Sequence, residues 1–453
     1  MTETVLHSLA RKVVATAFDD FPEATVKKAK LHILDTFGVA VAGSVSAETR
    51  MTLSALGAGA SNGASVIWGT PLLLDARTAA LVNGVSAHAL ELDDSGGCDH
   101  SGAVVLPAVV AALGEIQRPV HGRELLKSVL IGYEVGRRVL EAAGGYETHN
   151  GLGWHSTGTC GIFGAAAAVG TLLSFDAERM ASALGLACSF ASGTWAFIHD
   201  GSPAKKLHAG RAAEGGLLAA RLAASGFAGP GGVFEKGAWG SFFQAFCRGA
   251  GDLEALDRAF GENWRINRCS IKPHATCRGT HSAIDAVDKL LGDHDLKSAD
   301  VAAITVDMSG FQFGMCGGKT LSSRAQAQMS LPYAVAARLR YGKVSLAELE
   351  ERAWRDASIE QWLGRIEVRI DPSMSDEAEP AIALSTQDGK RLKTTVEFPL
   401  GSPANPLSDD RLIGKYNELS GTVLPEKKAA YLRDCVLALD SFVDARAPLE
   451  LLH

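Results

Sequence analysis

The feature that most constrains this fold is a series of Ala-rich helical stretches, which fills roughly the first 265 residues. Apolar residues recur there with the period of an α-helix, and Gly ends several of the stretches. These patterns predict helices over 21–43, 75–90, 122–144, 176–193 and 202–226, the last capped by Ser202 with Pro203 at its first position. None has a strongly polar face, which is typical of helices buried inside a large helical domain.

The stretch 151–175 carries no Asp, Glu, Lys or Arg and is long enough on paper to cross a bilayer. It reads GLGWHSTGTCGIFGAAAAVGTLLSF, which is poor in Leu, Ile and Val and rich in Gly. Because small residues let helices pack closely, we expect a buried helix here and not a membrane span. The N-terminus shows no apolar leader, so we also expect a cytoplasmic protein with no membrane contact.

The pattern changes near residue 267. Helical periodicity continues over 277–291 and 328–342, but 301–309 and 365–372 alternate like strands, and 381–401 predicts a hairpin that turns at Asp388-Gly389. Amphipathic helix returns over 406–439. We therefore predict a mainly α fold. It has a large all-α domain, residues 1–266 completed by 402–453, and a smaller α+β domain of residues 267–401.

Composition and motif content exclude several classes of function. The net charge of −7 argues against nucleic-acid binding. The eight Cys are scattered and form no Cys-x-x-Cys pair, so neither disulfides nor a zinc motif is indicated. No Gly-x-Gly-x-x-Gly follows a predicted strand, which argues against a dinucleotide-dependent enzyme. We expect a small-molecule partner, no metal and no cofactor.

The segment 88–100, HALELDDSGGCDH, concentrates His and carboxylate side chains. His88 and Glu91 share a helix face, and Asp93 and Asp94 follow near the helix C-terminus, where the macrodipole disfavours anions. The adjacent Gly residues indicate a turn, and the spacing matches no zinc signature. We expect these carboxylates to orient basic side chains or to accept bonds from loop N–H groups. A solvated helix end and a metal site are the alternatives.

Two further segments place polar side chains at predicted helix starts. His155 precedes Ser156 and Thr157, whose hydroxyls and helix N-terminal N–H groups can bind a carboxylate or simply cap the helix. The basic residues of 200–214 are Lys205, Lys206, His208 and Arg211. Because cations are unfavourable at a helix N-terminus, we expect them to meet an anion. A solvated charged turn is the alternative.

The fourth segment, 270–286, places Lys272 in extended chain before a Pro, with Cys277 and His281 four residues apart on a helix. A Cys–His nucleophile is a minor hypothesis, because no orienting motif accompanies the pair. Together the four segments predict a site for a di- or tricarboxylate. Cations there would stabilise the enediolate-like anion that forms when a C–H beside a carboxylate is deprotonated, and a second acid would return a proton.

The motifs HALELDD…DHSGAVVLPA, GYEVGRRV, GWHSTGTCGIFGAAAAVGTLL, KKLHAGRAAE and KPHATCRGTHSAIDA resemble the MmgE/PrpD superfamily, in order and over nearly the whole chain. That superfamily includes 2-methylcitrate dehydratase, cis-aconitate decarboxylase and iminodisuccinate epimerase activities. The resemblance implies a helical body, an α+β lid, an active site between them, homodimers and metal-independent chemistry.

The resemblance also implies roles for individual residues. The matching motif positions are Glu91, Ser95, His100, His155, Lys205 and Lys272. With the residues singled out above, the expected catalytic set is His100, His155, Lys205 and Lys272. The expected substrate-binding set is Glu91, Asp93, Ser95, Thr157, His208, Arg211, Cys277 and His281.

Three departures from the family pattern bear on the reaction. This chain reads Glu91-Leu92-Asp93-Asp94 where members of the family often have Asp-aromatic-Asp-Asp, and His100-Ser101 where they often have His-Pro-Ser. Five residues after Lys272, where the decarboxylases look to have a second His, this chain has Cys277. These departures argue against a cis-aconitate-type decarboxylase and leave dehydratase, epimerase and isomerase activities open. The leading hypothesis is a hydro-lyase of the 2-methylcitrate dehydratase type. The alternatives are an epimerase of an amino- or imino-dicarboxylate, a cis-aconitate-type decarboxylase and a non-catalytic carboxylate-binding protein.

Overall fold

The computed structural model describes residues 4–56, 63–237 and 239–453, and most of its regular structure is helical. The helices before residue 250 are α1 Val5–Ala15, α2 Glu23–Gly43, α3 Ala47–Ala55, α4 Ala76–His88, α5 Gly102–Leu113, α6 Gly122–Ala142, α7 Gly145–Gly151, α8 Ser156–Thr159, α9 Gly161–Leu172, α10 Ala177–Cys188, α11 Ala204–Ala224 and α12 Phe242–Cys247. A two-stranded antiparallel ribbon, β1 Ser65–Val66 and β2 Leu73–Leu74, precedes α4.

Close packing of α4 against α11 determines which side chains meet at the site. A Cβ on Gly84 of α4 would come within 2.6 Å of the Gly210 Cα, and a Cβ on Gly210 would come within 2.3 Å of the Leu81 carbonyl oxygen. Two Gly residues therefore allow the two backbones to touch. The contact brings the C-terminal end of α4, with His88, to the N-terminal end of α11, with Lys205 and Lys206.

The second half of the chain contains a four-stranded sheet covered by helices. Its elements are α13 His281–Asp293, β3 Val301–Met308, α14 Gly310–Cys316, α15 Arg324–Met329, α16 Leu331–Tyr341, α17 Glu351–Trp354, α18 Ala357–Arg365, β4 Ile366–Ile370, β5 Ala381–Thr386 and β6 Arg391–Thr395. The strand order is β4-β3-β5-β6, with β3 and β4 parallel and the other pairs antiparallel. The hairpin turns at Gly389, which has a φ of +86°, as the sequence predicts.

Two clusters of buried apolar side chains underlie this arrangement. The larger one joins the helices before residue 250 to the last helices, α19 Asp409–Ser420, α20 Glu426–Leu437 and α21 Arg446–Leu449. The smaller one fills the space between the sheet and its helices, and it also takes in Ala89, Leu90 and Leu92 from the segment after α4. That segment is therefore anchored where the two clusters adjoin.

Local structure corrects two of the sequence expectations. The stretch 151–175 is not one helix, because it divides into α8 and α9 around Cys160. Helix α11 begins at Ala204 after Pro203, and the Ser202 side chain makes no capping bond; instead the Ser202 N–H donates to Asp200 Oδ1. In the part of the chain that the structure describes, no helix is both long and apolar enough to cross a membrane.

Candidate active site

A cavity of about 460 Å³ lies between residues of the helical first half and residues of the second half, which include α14 and the loop residues 376–379 and 397–403. Five of the residues expected from the sequence line it, namely Glu91, Ser95, His100, Lys205 and Cys277. Its inner end is formed by buried side chains such as His100 and Lys205. Its mouth carries exposed carboxylates, at Asp376, Glu377 and Glu397. The cavity is therefore not uniformly cationic: buried bases lie at its inner end, and the partly or fully exposed Arg137, Arg268 and Arg278 also line it beside the carboxylates.

The segment 88–100 is held in an unusual backbone conformation at this end. Glu91 and Asp99 have φ values of +54° and +133°, which non-Gly residues rarely adopt. A two-way backbone pairing between Ser95 and Ser270, with N–O distances of 3.1 and 2.8 Å, fixes the segment against the chain that leads to Lys272. Strain of this kind persists only where the surroundings impose it, and it is concentrated at functional sites.

Three lysines share the carboxylate of Glu91. Lys205 and Lys206 each form an ion pair with one of its oxygens, and Lys272 Nζ lies 3.4 Å from Oε1 and 3.0 Å from the Glu91 carbonyl oxygen. We call Lys205, Lys206 and Lys272 the lysine cluster; all three are buried. The anion that the basic residues of α11 were expected to meet is thus Glu91, a residue of the chain itself.

Burial and charge act in opposite directions on the groups of the lysine cluster. Burial opposes ionisation of Glu91, but the charges of Lys205, Lys206 and Lys272 outweigh it and hold the pKa of Glu91 well below its usual range. Burial lowers the pKa of Lys206 to about 8 despite the attraction of Glu91. For Lys205 burial also opposes the charge, but the attraction and hydrogen bond of Glu91, together with the attraction of Asp99 and Cys277, outweigh it and raise the pKa.

A histidine cluster, which comprises His88, His100 and His155, lies on the other side of Glu91. All three rings are buried, and the ring centroids of His88 and His100 are 4.2 Å apart. Asp93 lies between the first two rings: its carboxylate is 3.0 Å from His88 Nδ1 and 3.2 Å from His100 Nδ1. His100 Nδ1 also donates to the Asp94 carbonyl oxygen at 2.7 Å.

Asp93 and Asp99 give His100 a different protonation from its neighbours. Burial disfavours charge on His100, but Asp99, 3.3 Å from Nε2, and Asp93 together raise its pKa. Burial lowers the pKa of His88 to about 3. His100 is therefore the ring of the cluster that is best placed to carry a proton at neutral pH, and it faces the cavity.

His155 is oriented from the side of α11. Its Nδ1 lies 3.0 Å from Nδ1 of His208, so one of these two nitrogens donates to the other, and its Nε2 lies 3.8 Å from Asp99 Oδ2. Burial lowers the pKa of His155 well below its usual value and that of His208 to about 4. Both rings are therefore neutral.

The second Asp of the motif acts as a structural acceptor. Asp94 accepts hydrogen bonds from the Tyr133 hydroxyl at 2.6 Å and from the Gly102 N–H at 3.0 Å, and it lies 3.2 Å from His32 Nδ1. The expectation that Asp93 and Asp94 orient basic side chains and accept loop N–H groups is therefore confirmed.

The structure does not bring every expected residue to the cavity. Arg211 is exposed and forms an ion pair with Glu214 on the outer side of α11, which corrects its assignment to substrate binding. His281 is buried with Nε2 near the Thr276 carbonyl oxygen. Thr157 is buried away from the cavity lining. The helix start beside it is also not a free anion site, because the Ser156 N–H donates to Asn150 Oδ1.

Cys277 lines the cavity, but its chemistry is that of a neutral thiol. Burial raises the pKa of Cys277, and its backbone N–H donates to the Gln328 carbonyl oxygen at 2.8 Å. No hydrogen bond to His281 is present among the described residues. The Cys–His nucleophile hypothesis therefore has no support.

Three of the site's residues, Lys206, His88 and Asp99, belong to neither the expected catalytic set nor the expected substrate-binding set. Lys206 was expected to meet an anion and His88 to share a helix face with Glu91, whereas the signal for Asp99 was its place in the segment 88–100. Lys206 shares Glu91, His88 shares Asp93, and Asp99 lies between His100 and His155. The contacts of Lys206 with Glu91 and of Asp99 with His155 join different segments of the chain, whereas the His88–Asp93 and Asp99–His100 contacts lie within the segment 88–100.

Comparison with known proteins defines the class. The model of the MmgE/PrpD N-terminal domain matches residues 7–253, and that of the MmgE/PrpD C-terminal domain matches residues 274–441. The chain therefore belongs to the MmgE/PrpD family, as its motifs indicate.

Curated relatives of this chain carry one activity in their names. The cis-aconitate decarboxylase of Aspergillus terreus (strain NIH 2624 / FGSC A1156) is 31% identical, over 96% of this chain and 93% of the relative. A cis-aconitate decarboxylase-like protein of Aspergillus oryzae is 29% identical, over 96% and 94%. The human cis-aconitate decarboxylase is 24% identical, over 94% and 89%.

Proposed function

We propose that this protein is a cofactor-independent lyase that decarboxylates cis-aconitate or a closely similar unsaturated tricarboxylate. The relatives support this reaction over the dehydration that was the leading hypothesis, although the three sequence departures argued against a decarboxylase. The observation that carries the proposal is His100, a buried imidazole whose pKa is raised by Asp99 and Asp93, which lies on the cavity wall beside Lys205.

The lysine cluster supports a polyanionic substrate. Among the residues that the structure describes, Glu91 alone contributes a carboxylate in direct contact with the three ammonium groups, so their positive charge exceeds the negative charge that contacts them. Buried cations in this arrangement are stabilised when a further anion arrives. Lys205, which lines the cavity, is the member that would contact a substrate carboxylate, while Lys272 and Lys206 would act through Glu91.

His100 would supply the proton that the reaction consumes. When the carboxylate on the CH2 carbon leaves as CO2, the electron pair of the broken C–C bond forms a new double bond to the central carbon. The electrons of the original double bond then move onto the vinylic carbon and its carboxylate. Lys205 would stabilise that charge, and His100 would donate a proton to the carbon. His155, held by His208, would act through Asp99, which lines the cavity beside His100.

The proposal extends to the organisation of the protein. We propose that residues 1–266 with 402–453 form the helical body, that residues 267–401 form a lid over the cavity, and that the chain is a homodimer. The matching C-terminal domain model runs to residue 441. The buried side chains of α19 and α20 nevertheless pack mainly with the helical body, which supports assigning residues 402–453 to that body and not to the lid. Light scattering after size-exclusion chromatography tests the dimer.

An NMR assay in D2O tests the reaction. With cis-aconitate we expect release of one CO2 per turnover and one deuterium on the former vinylic carbon. Replacement of His100 by Gln should lower kcat by about 10²- to 10⁴-fold. His281→Gln changes a buried histidine that does not line the cavity, and it should retain activity. Water addition or elimination without CO2, or exchange of a substrate C–H alone, would support the dehydratase or the epimerase instead.

A further inference from the structure

The histidine cluster has the geometry of a metal site as well as that of a proton donor. One ring nitrogen from each of His88, His100 and His155 lies within 4.8 Å of the other two, and the three rings are buried. We propose that these histidines bind one divalent transition-metal ion of the zinc class, and that this ion inhibits the enzyme.

The opposite nitrogen of each ring already has a partner of the kind that orients metal-binding histidines. His88 Nδ1 lies 3.0 Å from both oxygens of Asp93, and His100 Nδ1 donates to the Asp94 carbonyl oxygen. His155 Nδ1 lies 3.0 Å from His208 Nδ1. Carboxylate and carbonyl partners of this type fix the tautomer and direct Nε2 towards a metal ion.

Two of the inward-facing nitrogens need a partner. Nε2 of His88 and Nε2 of His155 are buried and, within the described ranges, accept and donate no hydrogen bond. Leaving a buried polar atom unsatisfied costs about 1–3 kcal/mol. A cation that accepts both lone pairs removes this cost, and it can enter through the cavity that His100 lines.

The donor set selects the kind of ion. Imidazole nitrogens suit Zn²⁺, Co²⁺, Ni²⁺ and Cu²⁺, whereas Mg²⁺ and Ca²⁺ prefer oxygen ligands. Zn–N bonds of about 2.0–2.1 Å place tetrahedral ligand nitrogens about 3.4 Å apart. The nitrogens lie within 4.8 Å of one another, so each ring must move inward by at most about 0.8 Å. Asp99 Oδ2, 3.3 Å from His100 Nε2 and 3.8 Å from His155 Nε2, is placed to supply a fourth ligand.

Inhibition follows from shared use of His100. A nitrogen that is coordinated to the ion cannot carry the proton that decarboxylation transfers, so saturating Zn²⁺ should stop turnover. This consequence rests on the proposed function, whereas binding does not. If the protein binds one Zn²⁺ at these histidines and still turns over substrate, the metal site is supported. The proposed role of His100 as the proton donor is then contradicted.

Titration of the chelator-treated full-length protein with Zn²⁺ and with Co²⁺ tests the site. We expect one ion per chain by calorimetry, and a visible Co²⁺ spectrum of tetrahedral intensity. Mg²⁺ should give neither signal. His88→Gln and His155→Gln should each weaken binding by more than tenfold, and Asp93→Asn, which changes a partner of His88 and His100, by about 10- to 100-fold.

The matched control is His281→Gln, which removes a buried histidine from the sheet region and should leave metal affinity unchanged. Circular dichroism establishes that each variant is folded. Absence of stoichiometric Zn²⁺ and Co²⁺ binding by the wild-type protein would overturn the proposal. Unchanged affinity in folded His88→Gln and His155→Gln variants would do the same.

Discussion

The lysine cluster and the histidine cluster lie on two sides of Glu91 and use carboxylates in opposite ways. In the lysine cluster a single carboxylate contacts three ammonium groups, so positive charge is left over. In the histidine cluster Asp93 and Asp99 surround His100, while the neighbouring rings of His88 and His155 stay neutral. The first arrangement attracts an anion, and the second holds one transferable proton. A decarboxylase of a polyanion needs both.

The largest effect should come from Glu91→Gln, which removes the anion that the lysine cluster shares. Removing one partner of a buried ion pair costs about 3–5 kcal/mol, because it leaves a buried charge uncompensated. Urea unfolding at pH 7 should show a loss of this size. Citrate should restore more stability to the variant than to the wild type, since a carboxylate can replace Glu91. A loss below about 1 kcal/mol would mean that the lysines do not depend on Glu91.

His208→Leu probes the histidine side. His208 touches His155 through the two Nδ1 atoms, so we treat it as a positioning residue. Because misplacement of a group in an active site by about 1 Å can cost about 10²-fold in rate, we expect kcat to fall by about 10- to 100-fold. KM should change much less. His208→Asn, which keeps donor and acceptor atoms, should recover part of kcat; equal kcat in both variants would remove the positioning role.

The third test separates the clusters by pH. Burial lowers the pKa of Lys206 from 10.5 to about 8, so between these values the unfolded chain binds more protons than the folded chain. The free energy of unfolding should therefore rise with pH across this window. Below pH 8 the cost of burying the protonated Lys206 is fully present. The difference in unfolding free energy between wild type and Lys206→Met should rise by at most about 1.4 kcal/mol per pH unit. A flat or falling difference would contradict the proposed environment of Lys206.

The smallest effect should come from Arg211→Ala. This residue is on α11 with Lys205 and Lys206 but is exposed and paired with Glu214, outside both clusters. Surface changes of this kind usually alter stability by less than about 0.5 kcal/mol, and turnover should remain within about twofold by steady-state assay. A large loss of activity would place Arg211 in the site after all and would weaken the contrast between the clusters.

Much of the fold could be predicted from the sequence because it depends on local patterns. The helices predicted over 21–43, 75–90, 122–144 and 202–226 are present with ends within a few residues, and strand β3 and the turn at Gly389 also lie where the pattern places them. The break at Cys160 was not predicted, because the stretch 151–175 has no Pro or charged residue to mark the end of one helix and the start of the next.

The candidate site could be predicted only in part. The carboxylates of the segment 88–100 were expected to orient bases, since anions at a helix C-terminus need partners, and Asp93 and Asp94 do so. The cations of α11 were expected to await a ligand, yet Lys205 and Lys206 bind Glu91. Nothing in either segment alone indicates that they pair, because more than a hundred residues separate them.

The segments that contain the site residues could be identified from the sequence, because residue types and their helical or turn context are local properties. Tertiary structure decided which face of α11 meets the cavity. An Ala-rich helix without a distinct polar face can be rotated about its axis at little cost in burial. The close contact between Gly84 and Gly210 removes that freedom. It directs Lys205 and Lys206 towards Glu91 and leaves Arg211 outside.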